Sequence, residues 1–386
     1  MKILHVVADV HKSGGGTSEV IPRLAVEQHK LGNEVTIAAL NSEISDSMRA
    51  AIESGVIYEG SARVSHMLPR ALGFSRKFRN VIAPLVERTD ILHLHGLWMY
   101  PPWCAAWLGY KLHKPYVMMP HGFLEPERLK ISPWKKRIVG CLVEKPLLRN
   151  ANAIVATSLS EEDGIRAYGL SNPVYIMPIG LDTKVIDKGV RNEKLLRRLG
   201  CDLSKRHLLF FSRITPIKGL DILAQAWEKI DHDGWQLLIV GPDDRGYATE
   251  VRRLYDAQIT LGSVVLHGPV YGQDKYDLLK SVEAFVLPTR SENWSIAVAE
   301  ALAARLPVVC TKGAPWQCIT EVGAGFWVDI SSDGVRIGLE KLMALDDGQR
   351  HDMGVNGRRW VEENLNWGRI AGKLIAYYKQ ICGALL

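Results

Sequence analysis

Short apolar runs alternate along the chain with segments of helical period. KILHVVA (2–8), EVTIAAL (34–40), ILHLHG (91–96), PYVMMPHG (115–122), AIVATS (153–158) and VYIMPIG (174–180) are apolar on both faces and often end at glycine. Parallel strands covered by helices on both sides read this way, whereas a half-solvated strand would alternate. A charged stretch, KVIDKGVRNEKLLRRLG (184–200), separates them from a second set: HLLFFSR (207–213), WQLLIVG (235–241), SVVLHGPV (263–270), AFVLP (284–288), PVVC (307–310) and GFWVD (325–329). Helix-period segments such as GLDILAQAWEKI (219–230) and SIAVAEALAA (295–304) lie between them. Two consecutive βαβ series predict an α/β protein of two doubly wound Rossmann-like domains, 1–182 and 183–366, with ligands at the strand carboxyl ends. The tail 367–386 is amphipathic and predicted to be a helix packing back onto the first domain.

Composition adds few constraints. The 386 residues are 47% hydrophobic and 23% charged, ordinary for a globular protein with a sizeable core. No apolar run reaches the roughly 20 residues of a membrane span. The start MKILHVVADV does not read as a signal peptide, because Asp9 and His11 interrupt it. Six cysteines, none in a C-x-x-C pair, fit a reduced compartment and no zinc or disulfide framework, so a cytoplasmic protein is expected. Charge is uneven: residues 60–150 hold 15 Lys and Arg against 5 Asp and Glu, whereas the whole chain nets only +6. Such an excess suits anionic lipid head groups or a phosphorylated ligand, or else a plainly solvated basic surface.

Three loops carry candidate chemistry. HKSGGGTS (11–18) follows the first strand, and its glycines permit close backbone approach to an anion at the next helix N-terminus. The spacing is not that of a dinucleotide fingerprint, and Asn41 and Ser42 stand where its acid would be, so a nicotinamide site is not expected. Arg213 and Lys218 lie five apart on the loop after HLLFFS, where a fork and a point charge could clamp a pyrophosphate. Glu292 and Glu300 flank the start of SIAVAEALAA with seven residues between them. On a helix, eight positions span on the order of 12 Å, roughly the reach from the sugar to the ribose of a nucleotide sugar. In each loop, solvated residues around an ordinary tight turn are the alternative.

In order, the chain shows a Gly-rich first loop, His121–Gly122, IMPIGLD, R-x4-K-G, Gly241–Asp243, HGPV and E-x7-E. This series resembles the retaining glycosyltransferases of family 4, group 1, and covers essentially the whole chain. The resemblance implies a GT-B fold, two Rossmann-like domains facing each other across a cleft, the first binding acceptor and the second the nucleotide sugar. It implies that Arg213 and Lys218 hold the donor diphosphate and offset leaving-group charge, so that no metal is required. Glu300 would take the ribose, Glu292 the transferred sugar, and Gly241 and the stretch Pro269, Val270 and Tyr271 the nucleotide. Gly15 and Gly16 would lie near the diphosphate, His121 near the sugar's hydroxymethyl side, and Asn293, Trp294 and Ser295 along the donor. Two departures stand out: Asn293–Trp294–Ser295 where the family usually has Asn/Gly–Phe–Gly, and Pro178–Ile179–Gly180 where it has P-N-G. The paired glutamates then read as a ruler for the donor and not as a hydrolytic acid–base pair.

On the acceptor side, Trp98, Tyr100 and Trp103 are candidates to stack on a sugar, with core packing the other reading. The segment 126–149 sets Lys130, Lys135, Lys136, Arg137 and Lys145 among Leu, Ile, Val and Trp134, as a surface on anionic membrane would. The expectation is a hexosyltransferase using a UDP- or GDP-sugar on a lipid-linked glycan of polysaccharide or O-antigen assembly, peripheral on the inner membrane face. Alternatives are an epimerase of the same fold or a non-catalytic nucleotide-sugar-binding scaffold. Nucleic acid is not expected as a partner, since the basic residues carry no recognition motif.

Overall fold

A computed structural model describes residues 1–11, 17–40, 43–60, 72–130 and 132–384. Gly15 and Gly16 lie outside the described residues, as does the side chain of Lys135. The chain divides into two compact units, Met1–Gly180 with Trp367–Leu386, and Leu181–Asn366.

The first unit is a seven-stranded sheet of β1 (Lys2–Val6), β2 (Glu34–Ala39), β3 (Ile57–Gly60), β4 (Ile91–His95), β5 (Tyr116–Met119), β6 (Ala153–Ala156) and β7 (Val174–Ile176). Its order is β3-β2-β1-β4-β5-β6-β7, and every pairing is parallel. Strand β3 was not predicted: it is short, half-exposed and pairs only with β2 at the sheet edge, so it needs no apolar run. The two-residue period of the strands sorts the core into two layers. Ile3, Val35, Ile37, Ile91, Val117 and Val155 face helices Thr17–Lys30 and Trp367–Gly383. Leu4, Ala38, Leu92, Leu94, Met118 and Ile154 face helices Arg76–Arg88 and Tyr100–Lys111. Both faces are covered, which is why the strands read as continuous apolar runs. The helix Trp367–Gly383 buries Trp367, Ile370, Leu374 and Tyr378 in the first layer. Gly180 makes room for it: a Cβ there would fall 2.3 Å from the Trp367 ring.

The second unit is a six-stranded parallel sheet of β8 (Arg206–Phe211), β9 (Trp235–Val240), β10 (Val264–His267), β11 (Ala284–Leu287), β12 (Val308–Thr311) and β13 (Gly325–Val328), in the order β10-β9-β8-β11-β12-β13. Leu208, Leu209, Phe210, Leu238, Ile239, Phe285, Val286 and Val309 are fully buried. Each sheet reverses its winding once, between β1 and β4 in the first unit and between β8 and β11 in the second. In doubly wound sheets, ligands bind where the strand order reverses, outside the carboxyl ends.

Candidate active site

In the second unit, the chain leaving β8 runs through Ser212 and Arg213, pairs Ile214 with Asp243, and enters a tight turn, Pro216–Lys218. Gly241 is needed where β9 ends, because a Cβ there would stand 1.7 Å from the Ser212 carbonyl oxygen. The loop after β11 is laced onto that turn. Arg290 N–H donates to Ile217 O at 2.8 Å, and Thr289 Oγ1 donates to the same carbonyl at 3.1 Å. The Arg290 guanidinium forks onto Asp221 at 2.8 and 2.5 Å, which holds the Asp221 carboxyl below the usual carboxylate range. Farther along, Glu292 N–H donates to Gly313 O at 2.7 Å.

This lacing brings Lys218 Nζ against Glu292 Oε1 as an ion pair, with side chains only 9% and 15% exposed. The sequence reading paired the two glutamates with each other; the structure gives each its own lysine. Glu300, on helix Ile296–Ala303, accepts from Lys275 Nζ at 2.6 Å. Lys275 was missed, because a lysine near a helix start, in GQDKYDLLKS, carries no signal in sequence. Arg213 is 59% exposed and 3.8 Å from Asp244, so of the two loop cations only Lys218 is buried. Val270 is buried, whereas Pro269 and Tyr271 are exposed.

The departure Asn293–Trp294–Ser295 has a structural meaning. The Trp294 ring is 8% exposed and packs 5.0 Å from the Trp316 ring, whose Nε1–H donates to the Trp294 carbonyl. Ser295 sits at φ 69°, ψ 87°, left-handed backbone that glycine adopts without strain, and its side chain does not cap the helix that follows. The first N–H groups of Ile296–Ala303 thus receive no cap from Ser295.

In the first unit, His121 and Gly122 follow β5 with φ of 55° and 77°. The Glu161 carboxylate accepts from Gly122 N–H at 2.5 Å and Thr157 N–H at 2.7 Å, fixing the turn. Burial pushes His121 down to about 4. Its Nε2 lies 3.0 Å from His95 Nδ1. His5, His93 and His95 are buried together on β1 and β4, their ring nitrogens within 4.8 Å of one another, a spacing at which three imidazoles can bracket an ion. These histidines were read only as part of the strands KILHVVA and ILHLHG, although a polar residue within a doubly buried strand is itself a signal.

The three aromatic acceptor candidates are half-buried. Trp98 N–H and Trp103 Nε1–H both donate to Glu144 Oε2, at 2.9 and 2.7 Å. Tyr100 meets Phe74 edge-on at 4.7 Å. Glu144, also missed, is buried, and burial pushes its carboxyl up to about 7 against the two hydrogen bonds.

Two doubly wound parallel sheets in one chain, each with its polar residues at the switch point, define a GT-B protein, the class of its structural neighbours. Anabaena HepE in complex with UDP and glucose superposes with a TM-score of 0.76 at 16% identity, over 98% of this chain and 100% of that one. Residues 14–185 match Glycosyltransferase Family 4, and residues 205–342 match Glycosyl transferases group 1. The chain belongs to the family 4, group 1 glycosyltransferases. The GDP-mannose:cellobiosyl-diphosphopolyprenol alpha-mannosyltransferase of Xanthomonas oryzae pv. oryzae is 27% identical over 99% of this chain and 98% of its own. The D-inositol 3-phosphate glycosyltransferase of Xylanimonas cellulosilytica is 25% identical over 75% of this chain and 72% of its own.

Proposed function

We propose that this enzyme transfers a hexosyl group, with retention, from a UDP- or GDP-sugar to a sugar on a lipid-linked glycan. The observation that carries the donor half is the buried Lys218–Glu292 pair at the carboxyl ends of β8 and β11. A cation held there by two laced loops meets the diphosphate as charge develops on the leaving oxygen, beside the N-terminus of Ile296–Ala303, which Ser295 does not cap. Donor binding exchanges partners: Lys218 turns to the phosphates, Glu292 to the transferred sugar, and Glu300, released by Lys275, to the ribose. Protein cations thereby do the charge stabilisation without a metal. The leaving phosphate oxygen stays on the face where the acceptor hydroxyl enters and takes its proton, which gives retention without a covalent nucleophile.

The acceptor half rests on the surface of residues 126–149. Trp134, Ile138 and Leu142 are exposed by 64%, 53% and 74% at four-residue spacing. Lys136, Arg137 and Lys145 line a pocket of about 200 Å³ beside them with Tyr168. Apolar side chains ringed by cations suit the inner face of an anionic membrane and the phosphates of a lipid carrier. Among the described residues, no helix is long and apolar enough to cross a membrane. The similar Xanthomonas mannosyltransferase is likewise named for a cellobiosyl-diphosphopolyprenol acceptor.

Thermal shift with UDP-, GDP- and ADP-sugars tests the donor half. One nucleotide should stabilise the protein, and Lys218→Ala and Glu300→Ala should abolish the shift. Transfer to a lipid-linked glycan should fall by about 100-fold or more in Lys218→Ala, with the anomeric configuration read by NMR. Inversion of that configuration would end the retaining mechanism. Interconversion of donors without acceptor would establish the epimerase instead, and binding without either reaction the scaffold.

A further inference from the structure

The carboxyl ends of β1 and β4 hold a connected row of imidazoles that the donor chemistry does not use. Gln28, His5 and His95 are at most 1% exposed. Gln28 Oε1 is 2.7 Å from His5 Nε2, His5 Nδ1 is 2.9 Å from His95 Nε2, and His95 Nδ1 is 3.0 Å from His121 Nε2. Both nitrogens of His5 and both of His95 are therefore engaged within the row. A neutral imidazole has one donor and one acceptor, so fixing one end of the row fixes every ring. The Gln28 oxygen only accepts, which puts the His5 proton on Nε2 and leaves its Nδ1 to accept from His95 Nε2–H. His95 Nδ1 then accepts from His121 Nε2–H, and His121 Nδ1 is bare. Burial keeps the rings neutral: His5 and His121 are lowered to about 4 and His95 well below its ordinary value. His93 buttresses the row, its ring stacked 4.2 Å from that of His95 and its Nδ1 2.6 Å from the Tyr378 hydroxyl.

We infer that His95 and His5, set by Gln28, are positioning residues that hold His121 as its Nε2–H tautomer and so present Nδ1 as an acceptor to a hydroxyl of a sugar substrate at the carboxyl ends of the first sheet. The inference rests on the proposed glycosyl transfer, which brings a sugar to the first unit. One buried amide, through three rings, decides whether the site offers that hydroxyl an acceptor or a donor.

Two-bond 1H–15N correlation spectra of protein labelled with 15N-histidine read the tautomer without substrate, and therefore independently of whether transfer occurs. Wild type should show His121 with an unprotonated Nδ1, unchanged between pH 6.5 and 8. Gln28→Leu and His95→Phe should each give His121 a mixed or reversed tautomer, while Gln28→Glu, an acceptor-only end, should keep the wild-type pattern. In transfer assays the first two should raise the KM of one sugar substrate roughly tenfold with kcat within about twofold, as loss of one hydrogen bond common to ground and transition states does. A wild-type His121 protonated at Nδ1, or a tautomer unmoved in both variants, would overturn the inference. Stoichiometric zinc retained by wild type and lost in His93→Ala would also overturn it, because an ion between these rings breaks the row.

Discussion

The two units share a topology and fill its switch point with opposite electrostatics. Where β1 meets β4, the polar groups are neutral imidazoles bonded to one another in a buried layer. Where β8 meets β11, they are ions paired one to one, Lys218 with Glu292, Lys275 with Glu300 and Arg290 with Asp221. The doubly wound sheet dictates where a site lies but not its charge. Neutral groups at the first suit discrimination by hydrogen-bond polarity; fixed charges at the second suit a diphosphate.

Acid should separate the units most strongly. The histidines of the first have pKa values below the unfolded 6.5, so their neutral burial is without penalty above pH 6.5 and becomes destabilising as pH falls toward 4. His5 alone contributes on the order of 3 kcal/mol over that window, against a typical total of about 5–15 kcal/mol. Hydrogen exchange between pH 7 and 4.5 should show β1 and β4 losing protection while β8 and β11 keep theirs. Simultaneous loss would break the contrast.

In the second unit, the corresponding lesion is to remove one ion of a buried pair. Lys218→Met should cost about 3–5 kcal/mol in urea denaturation by stranding Glu292, and Lys218→Met with Glu292→Gln should recover most of it. A single-variant loss below about 1 kcal/mol would mean that the pair behaves like a surface one. Glu144 is the first unit's exception, an acid raised to about 7 by burial. Its stabilising protonated form is complete below about pH 4.5 and is lost as pH rises through 7. Glu144→Gln should therefore flatten the melting temperature between pH 5 and 7.5 and gain up to about 3 kcal/mol at the upper end. A pH dependence identical to wild type would remove Glu144 from the account. The smallest effect belongs to Ser295: relief of left-handed strain, less the entropy of a new glycine, should make Ser295→Gly more stable by about 0.5 kcal/mol in the same urea assay. A loss of stability would show that this backbone is not strained.

The strands of both sheets except β3 were legible because burial on both faces demands a continuous apolar run, and the sequence records burial directly. Strand β3 escaped because an edge strand with half-exposed residues makes no such demand. The positions of Arg213, Lys218, Glu292 and Glu300 were legible from spacing along βα loops, but the helical span expected between the glutamates was not found, because helix Ile296–Ala303 carries only Glu300. Their partners were not. Lys218 meets Glu292 across 74 positions of chain, and His5 meets His95 across 90, because two strands of a switch point are adjacent in space while a whole crossover lies between them in sequence. Hydrophobic period and turn chemistry are local properties, so the sequence by itself determined the two α/β units and where their loops fall. Which charge faces which, and which imidazoles meet, depends on packing between distant strands, and only the tertiary structure decided it.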